Sequence, residues 1–369
     1  MNKQKTKRIE SLDAFRGIAS ILIMITHLIL VVPEVCRVEN FGYIYNAFSW
    51  KLPYFFILSG YVLTLSYQRI KDRVKHPYRT FIVNRFLRIY PLFFLSTVSM
   101  FLIKIAFDAG ADLEGASMFY NISWRIEGSF NELLHAFSLI GCANSWTFNS
   151  TAWTLVFEMR YAILFPLFVW IMRKSVAFFL VFIALSIIAI NIDSGIERVD
   201  FFYAQDLKLS NLCSMFNFLV YYIAGIAFAL NRDSLTKRYL SLSSIGSAIY
   251  LAIVIILAII PVWETWLMPQ GLPIIVKNIS IMLGILMWMV VLINNERIKT
   301  FFSNPILTAI GRSSFSIYMW HIPIFTLLYM SLRDSMNIWW IIAISSVTTI
   351  LFAQFSFKYI EQRFMLNKK

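Results

Sequence analysis

Charged residues are scarce in this chain: 14% of its 369 residues are Asp, Glu, Lys or Arg, where soluble domains carry about 25%. That scarcity excludes an ordinary soluble domain. Cysteine is scarcer still. Cys36, Cys142 and Cys213 have no metal-ligand spacing and fall on the side expected to face outward. Ordinary thiols are the expectation, with a Cys36–Cys142 disulfide as the alternative. No HExxH, CxxC, Walker or GxGxxG pattern occurs, so neither a bound metal nor a nucleotide-binding fold is expected. Long-period repeats and low-complexity tracts are missing too, which counts against transporter folds built from inverted repeats.

Apolar residues fill the space that charge leaves, at 59% of the chain and a mean hydropathy of +0.68. Stretches of roughly 20 apolar residues, long enough to cross a bilayer, recur along the whole length. Spans are predicted over Leu12–Val32, Trp50–Tyr67, Ile82–Ala106, Trp153–Met172, Val176–Ile192, Asn211–Leu230, Leu242–Val262, Pro273–Ile293, Ser314–Leu332 and Ile338–Tyr359. Ile298–Ile310 is too short and is interrupted by Pro305, so it is expected along the cytoplasmic interface. The basic stretch Met1–Arg8 precedes a segment that carries Asp13, Arg16 and His27 without a small-residue cleavage site. It is read as leading into a retained first span rather than as a signal peptide.

Loop charge checks that count independently. With the N-terminus inside, the inner loops hold Arg69, Lys71, Arg73, Lys75 and Arg79, then Arg173 and Lys174, then Arg232, Lys237 and Arg238. Arg297 and Lys299 follow, and finally Arg363, Lys368 and Lys369. The two long outer loops are acidic, through Asp108, Asp112, Glu114, Glu127 and Glu132, and through Asp193, Glu197, Asp200 and Asp206. One span more or fewer would scramble the alternation. The expected fold is therefore all-α, a polytopic membrane helical bundle of about ten transmembrane helices with both termini cytoplasmic. It forms a single integral-membrane domain over residues 1–369, with no appended soluble domain. Nucleic acid is excluded as a partner, because the net charge of +13 lies in short loops and follows the positive-inside pattern.

Ionisable residues inside spans are the informative ones, since each costs about 2.5–3.5 kcal/mol at mid-span. Arg16 and His27 are eleven positions apart on the first span, about three turns, within roughly 20° of one face and about 16 Å apart along the axis. Arg16 falls near the cytoplasmic end, where it could equally snorkel to headgroups, and His27 at depth. Glu158 and Arg160 sit a turn or two inside the fourth span beside Trp153 and Tyr161. Glu158 needs a cation or a water-filled cavity. Ser316, Tyr318 and His321 precede Pro323, whose kink frees backbone groups for a cavity; a helix–helix hydrogen bond explains His321 as well. Ser59-Gly60 is read as a close-packing site, His76 as solvated, and His135 as surface or cavity rim.

These residues, in this order, resemble the membrane acyltransferase-3 family, bacterial proteins that O-acetylate surface and secreted glycans. Leu12-Asp13-Ala14-Phe15-Arg16-Gly17-Ile18-Ala19 is similar to its opening, and the Arg16 to His27 spacing to its Arg-x10-His motif. Phe55 to Tyr61, Arg85-Phe86-Leu87-Arg88-Ile89-Tyr90-Pro91, Trp153-Thr154-Leu155 with Glu158, and Tyr318 to Pro323 resemble further family elements. The chain departs from the pattern at Met159, where many members have a second acid, and at Glu361-Gln362-Arg363, where Glu-x-Pro is usual.

The resemblance implies a bacterial inner (cytoplasmic) membrane enzyme that moves an acyl group, most often acetyl, from cytoplasmic acyl-CoA to a carbohydrate. The acceptor hydroxyl would belong to a cell-surface or lipid-linked sugar, and no bound cofactor is implied. Arg85 and Arg88 are then placed to hold the donor phosphates, with Arg16 helping to neutralise them. His27 acts as general base or transient acyl carrier, and Glu158 orients the acceptor or tunes an imidazole. Asp13, Trp153, Tyr318 and His321 are the expected substrate contacts. The rival reading is a transporter or exporter of a glycan or small anion whose path is lined by Arg16, His27 and Glu158. Membrane lipid surrounds the protein on either reading, and the acceptor glycan, the acyl length and the oligomeric state stay open.

Overall fold

The computed structural model describes residues 9–36, 49–137, 148–175, 177–194, 209–267 and 274–366. Its helices of five or more residues begin with α1 Glu10–Ile29, α2 Lys51–Lys71, α3 Pro77–Ala106, α4 Met118–Trp124 and α5 Phe130–Ala136. They continue with α6 Trp153–Lys174, α7 Phe178–Ser194, α8 Leu209–Leu230, α9 Arg232–Leu240, α10 Ser244–Leu267 and α11 Ile274–Asn294. α12 Glu296–Phe302, α13 Pro305–Arg312, α14 Ser314–Leu332 and α15 Ile338–Ser356 follow, and α15 runs through a wider π turn, Phe357–Glu361, into α16 Gln362–Leu366. No strand occurs among the described residues. The Cys36–Cys142 alternative falls outside the described side chains; Cys213 is buried.

Helix occupies each of the ten apolar segments read from the sequence, the conformation that lets a backbone in hydrocarbon satisfy its own N–H and C=O groups. Among the described residues, eight helices are long and apolar enough to cross a membrane. The two segments outside that set are α2 and α7. α2 begins at Lys51 and ends with Arg69 and Lys71, and the apolar part of α7, Phe178–Ala189, is short against the roughly 20 residues a bilayer asks for. α10 turns most of its apolar side chains outward, and Leu102, Ile105, Trp170, Trp340 and Leu351 are exposed too. Apolar surface of that extent marks a face that meets lipid, and the chain is a multi-pass membrane protein.

Small residues let the helices approach closely, as membrane bundles require. α2 crosses α8 so tightly that a Cβ on Gly60 would lie 2.1 Å from Tyr222 O, and one on Gly225 2.0 Å from Ile57 O. Of the Ser59-Gly60 pair, Gly60 is thus the close-packing residue, while Ser59 lines the cavity described below. A second crossing joins α1 to α13, where a Cβ on Gly311 would lie 2.0 Å from Asp13 O. The Ile298–Ile310 stretch is therefore two short helices with the second pressed against α1, and this contact shapes the site below.

Candidate active site

Arg85 and Arg88 are three residues apart on α3 and so share a face. Together with Arg16 from α1, Glu158 from α6 and Tyr318 from α14 they line one cavity of about 100 Å³. Phe55, Phe56 and Leu52 of α2 make an apolar part of its wall. Glu158 pairs with Arg85, whose Nη2 also lies 3.4 Å from Ser59 Oγ. Both members of the pair are largely buried, at 8% and 18% exposure, so each compensates a charge that would be costly alone.

Arg16 is held by backbone. Its Nε and Nη2 donate to Gly311 O at 3.2 and 2.5 Å, and Nη2 lies 3.3 Å from Asp13 Oδ1. The tight α1–α13 crossing brings that carbonyl within reach, because Gly311 has no Cβ to hold the helices apart. Asp13 serves here as the ion-pair partner of Arg16 and does not line the cavity.

His27, on the same helix as Arg16, borders a different and smaller cavity of about 20 Å³ with Phe119, Tyr120, Ser150 and Thr326. Its Nδ1 lies 2.9 Å from Nε2 of His321, which is wholly buried on α14. Lys51 of α2 donates to Thr26 Oγ1 at 3.0 Å, one residue from His27. Tyr318, in the wall of the arginine cavity, has its ring 6.0 Å from that of His321. α14 therefore connects the two cavities within one turn. Outside the spans, burial pushes the Tyr120 hydroxyl above the usual tyrosine range, so this wall of the smaller cavity stays neutral.

Pro323 explains the local architecture. It has no N–H, so the carbonyl four residues back, Met319 O, loses its helical donor. Asn149 Nδ2 takes that place at 2.9 Å. Asn149 and Thr151 are fully buried in the segment before α6. Tyr318 donates to Thr151 O at 2.9 Å, and its hydroxyl lies 2.8 Å from Thr154 Oγ1. The carbonyl that the proline leaves without a donor is thus filled by this segment rather than left open. Trp153 stacks edge-on against Phe157 at 5.5 Å and packs on Phe218, away from the cavity lining.

Sequence reasoning missed Asn149, Thr151 and Lys51, and noted Glu361 only as a departure. Glu361 is buried on the π turn and accepts a hydrogen bond from Ser316. Ser356 Oγ accepts from Trp320 Nε1 at 2.9 Å beside it. Only the polar run Asn149-Ser150-Thr151 ahead of an apolar helix signalled a buried polar segment. Among the described residues no group of three His, Cys, Asp or Glu side chains could hold a metal ion.

Comparison with known proteins supplies the family. A model described as an acyltransferase domain, acyltransferase-3, matches residues 9–356. A provisionally named O-acetyltransferase of Staphylococcus aureus strain COL is 24% identical over 98% of this chain and 58% of its own length. Peptidoglycan O-acetyltransferase OatA of Listeria monocytogenes is 23% identical over 96% of this chain and 55% of its own length. The chain thus spans a little over half the length of the curated relatives it matches. No solved structure matches. With the family match covering nearly the whole chain, this protein belongs to the acyltransferase-3 family.

Proposed function

We propose that the chain moves an acyl group, acetyl in the first instance, from cytoplasmic acyl-CoA to a hydroxyl of a cell-surface or lipid-linked carbohydrate. The observation that carries this reading is the convergence of Arg16, Arg85 and Arg88 on one cavity with apolar walls. A donor with a polyanionic head and a long, nearly neutral arm suits such a cavity, because guanidinium groups bind phosphate with paired, charge-assisted hydrogen bonds. Peptidoglycan is the first acceptor to try, since it is the one named for the Listeria relative.

In the proposed topology all ten apolar helices cross the bacterial cytoplasmic membrane, α2 and α7 included, and both termini are cytoplasmic. Arg16, Arg85 and Arg88 then lie toward the cytoplasm and His27 deeper along the same stripe of α1. The pantetheine arm runs from the arginines past Tyr318 toward His27. His27 takes the proton of the acceptor hydroxyl, the hydroxyl oxygen bonds to the thioester carbonyl carbon, and the carbon–sulfur bond breaks to release the thiolate. The thiolate is then protonated as the base returns to its neutral form. Glu158, held by Arg85, fixes the orientation of that guanidinium.

Sealed membrane vesicles carrying the protein, supplied with acetyl-CoA labelled in the acetyl group and with peptidoglycan, test the reading. Label that enters the glycan and leaves it under mild alkali supports an O-ester. A glycan or small anion that crosses the vesicle membrane unmodified, with no ester formed, overturns it in favour of transport.

A further inference from the structure

We infer that His321 is a positioning residue that sets the tautomer of His27, so that Nε2 of His27 is the atom that accepts the proton. This deepens the proposed reaction and rests on His27 being its base.

The chain of hydrogen bonds allows one arrangement of protons between neutral rings. Nδ1 of His321 lies 3.1 Å from Ile317 O on its own helix. A carbonyl oxygen only accepts, so that nitrogen carries the hydrogen. A neutral imidazole has one N–H, so Nε2 of His321 is bare and can only accept. Nδ1 of His27, 2.9 Å away, must then be the donor. The single hydrogen of the His27 ring is thereby committed to Nδ1, and Nε2 keeps its lone pair. In a ring with no such partner, tautomer exchange would protonate Nε2 much of the time and remove the base.

The surroundings keep this order. His321 is wholly buried and inside a helix, so Ile317 O is a fixed acceptor one turn away. His27 borders a cavity with Phe119, Ser150 and Tyr120, where an acceptor hydroxyl could enter. Among the described residues, α2 brings a charged group, Lys51, which donates to Thr26 Oγ1 beside His27. It opposes a second positive charge on the histidine pair and so favours the neutral form that this relay needs. If the pair did take up a proton, His321 would donate to His27 Nδ1 and the hydrogen of the His27 ring would move to Nε2, which switches the base off.

The arrangement has a spectroscopic signature. The chain has four histidines, and His76 and His135 are exposed, so a His76→Gln, His135→Gln protein leaves only the two of interest. Nitrogen-15 NMR of that protein in lipid, labelled at histidine and held at a pH where the pair is neutral, is expected to show both rings protonated at Nδ1 and bare at Nε2. This reverses the tautomer that a free imidazole side chain prefers in water. A His27 ring protonated at Nε2 overturns the inference whatever the activity. In kinetics, His321→Ala is expected to lower kcat by about 100-fold with the donor KM within about twofold. It should also distort the pH profile, while His321→Gln, whose amide oxygen can accept from His27 Nδ1, recovers much of kcat. A His321→Ala protein with wild-type kcat and pH profile overturns the positioning role. Full activity in His27→Ala is a different failure, that of the base assignment itself.

Discussion

The side-chain amide of Asn149 donates to the carbonyl of Met319 at 2.9 Å, filling the position from which Pro323 withholds an N–H. One substitution should therefore cancel another. Asn149→Ala leaves a buried carbonyl unsatisfied and is expected to cost about 1–3 kcal/mol. In a Pro323→Ala background the helix supplies its own donor, and the same change should cost much less. Thermal unfolding of the four proteins of this cycle in detergent checks it; equal costs in both backgrounds would break the link between the two residues.

Arg85 and Glu158 form a buried pair, so removing one partner strands the other. Glu158→Leu alone is expected to destabilise by about 3–5 kcal/mol, whereas Arg85→Met combined with Glu158→Leu should be far less harmful to folding. The double variant nevertheless loses a cavity-lining guanidinium, so its donor KM should rise. Unfolding midpoints measured beside donor saturation curves separate the two effects.

What was legible in the sequence was set by what each signal physically encodes. Hydropathy reports the cost of exposing backbone and charge to lipid, so the long helices and the cost-bearing residues in them could be read directly. Arg16 and Glu158 stood out that way, Tyr318 came from the polar run ahead of Pro323, and Arg85 and Arg88 came from the family resemblance; all five line one cavity. Periodicity encodes a face of one helix but not what packs against it. It placed Arg16 and His27 on one stripe, yet could not show that the two border separate cavities or that His321 closes on His27. Asn149 and Glu361 act across 170 and 45 residues of chain, with partners that no local pattern marks. Trp153 and Asp13 were expected against substrate; the structure gives them to an aromatic stack and to Arg16.

The glycine contacts make a graded prediction. Gly225→Ala would place a Cβ 2.0 Å from Ile57 O, forcing α2 and α8 apart at a cost of about 1–3 kcal/mol or more. Gly246, on α10, has its nearest neighbours at 3.4 Å, so Gly246→Ala should fall within about 0.5 kcal/mol of wild type. Unfolding midpoints that rank the two equally would contradict the close α2–α8 approach.

Between α3 and α5, Arg125 hydrogen-bonds to Asp112 and holds its carboxyl below the usual carboxylate range. A depressed folded-state value means that the pair's contribution is present above the unfolded value, near 4, and fades as the pH falls through the folded one. Both side chains are exposed, at 42% and 52%, so solvent screens the pair and Asp112→Asn should leave the unfolding midpoint at neutral pH almost unchanged. A large drop would show a structural role that this geometry does not give it.

The role of His27 in removing the acceptor proton is open to direct measurement. Membranes carrying wild type or His27→Ala at matched amounts would be given acetyl-CoA labelled in the acetyl group, and alkali-labile label counted in the peptidoglycan fraction. Label is expected with wild type, with a fall of about 100-fold or more in the variant. Undiminished label with correctly inserted His27→Ala would contradict that role.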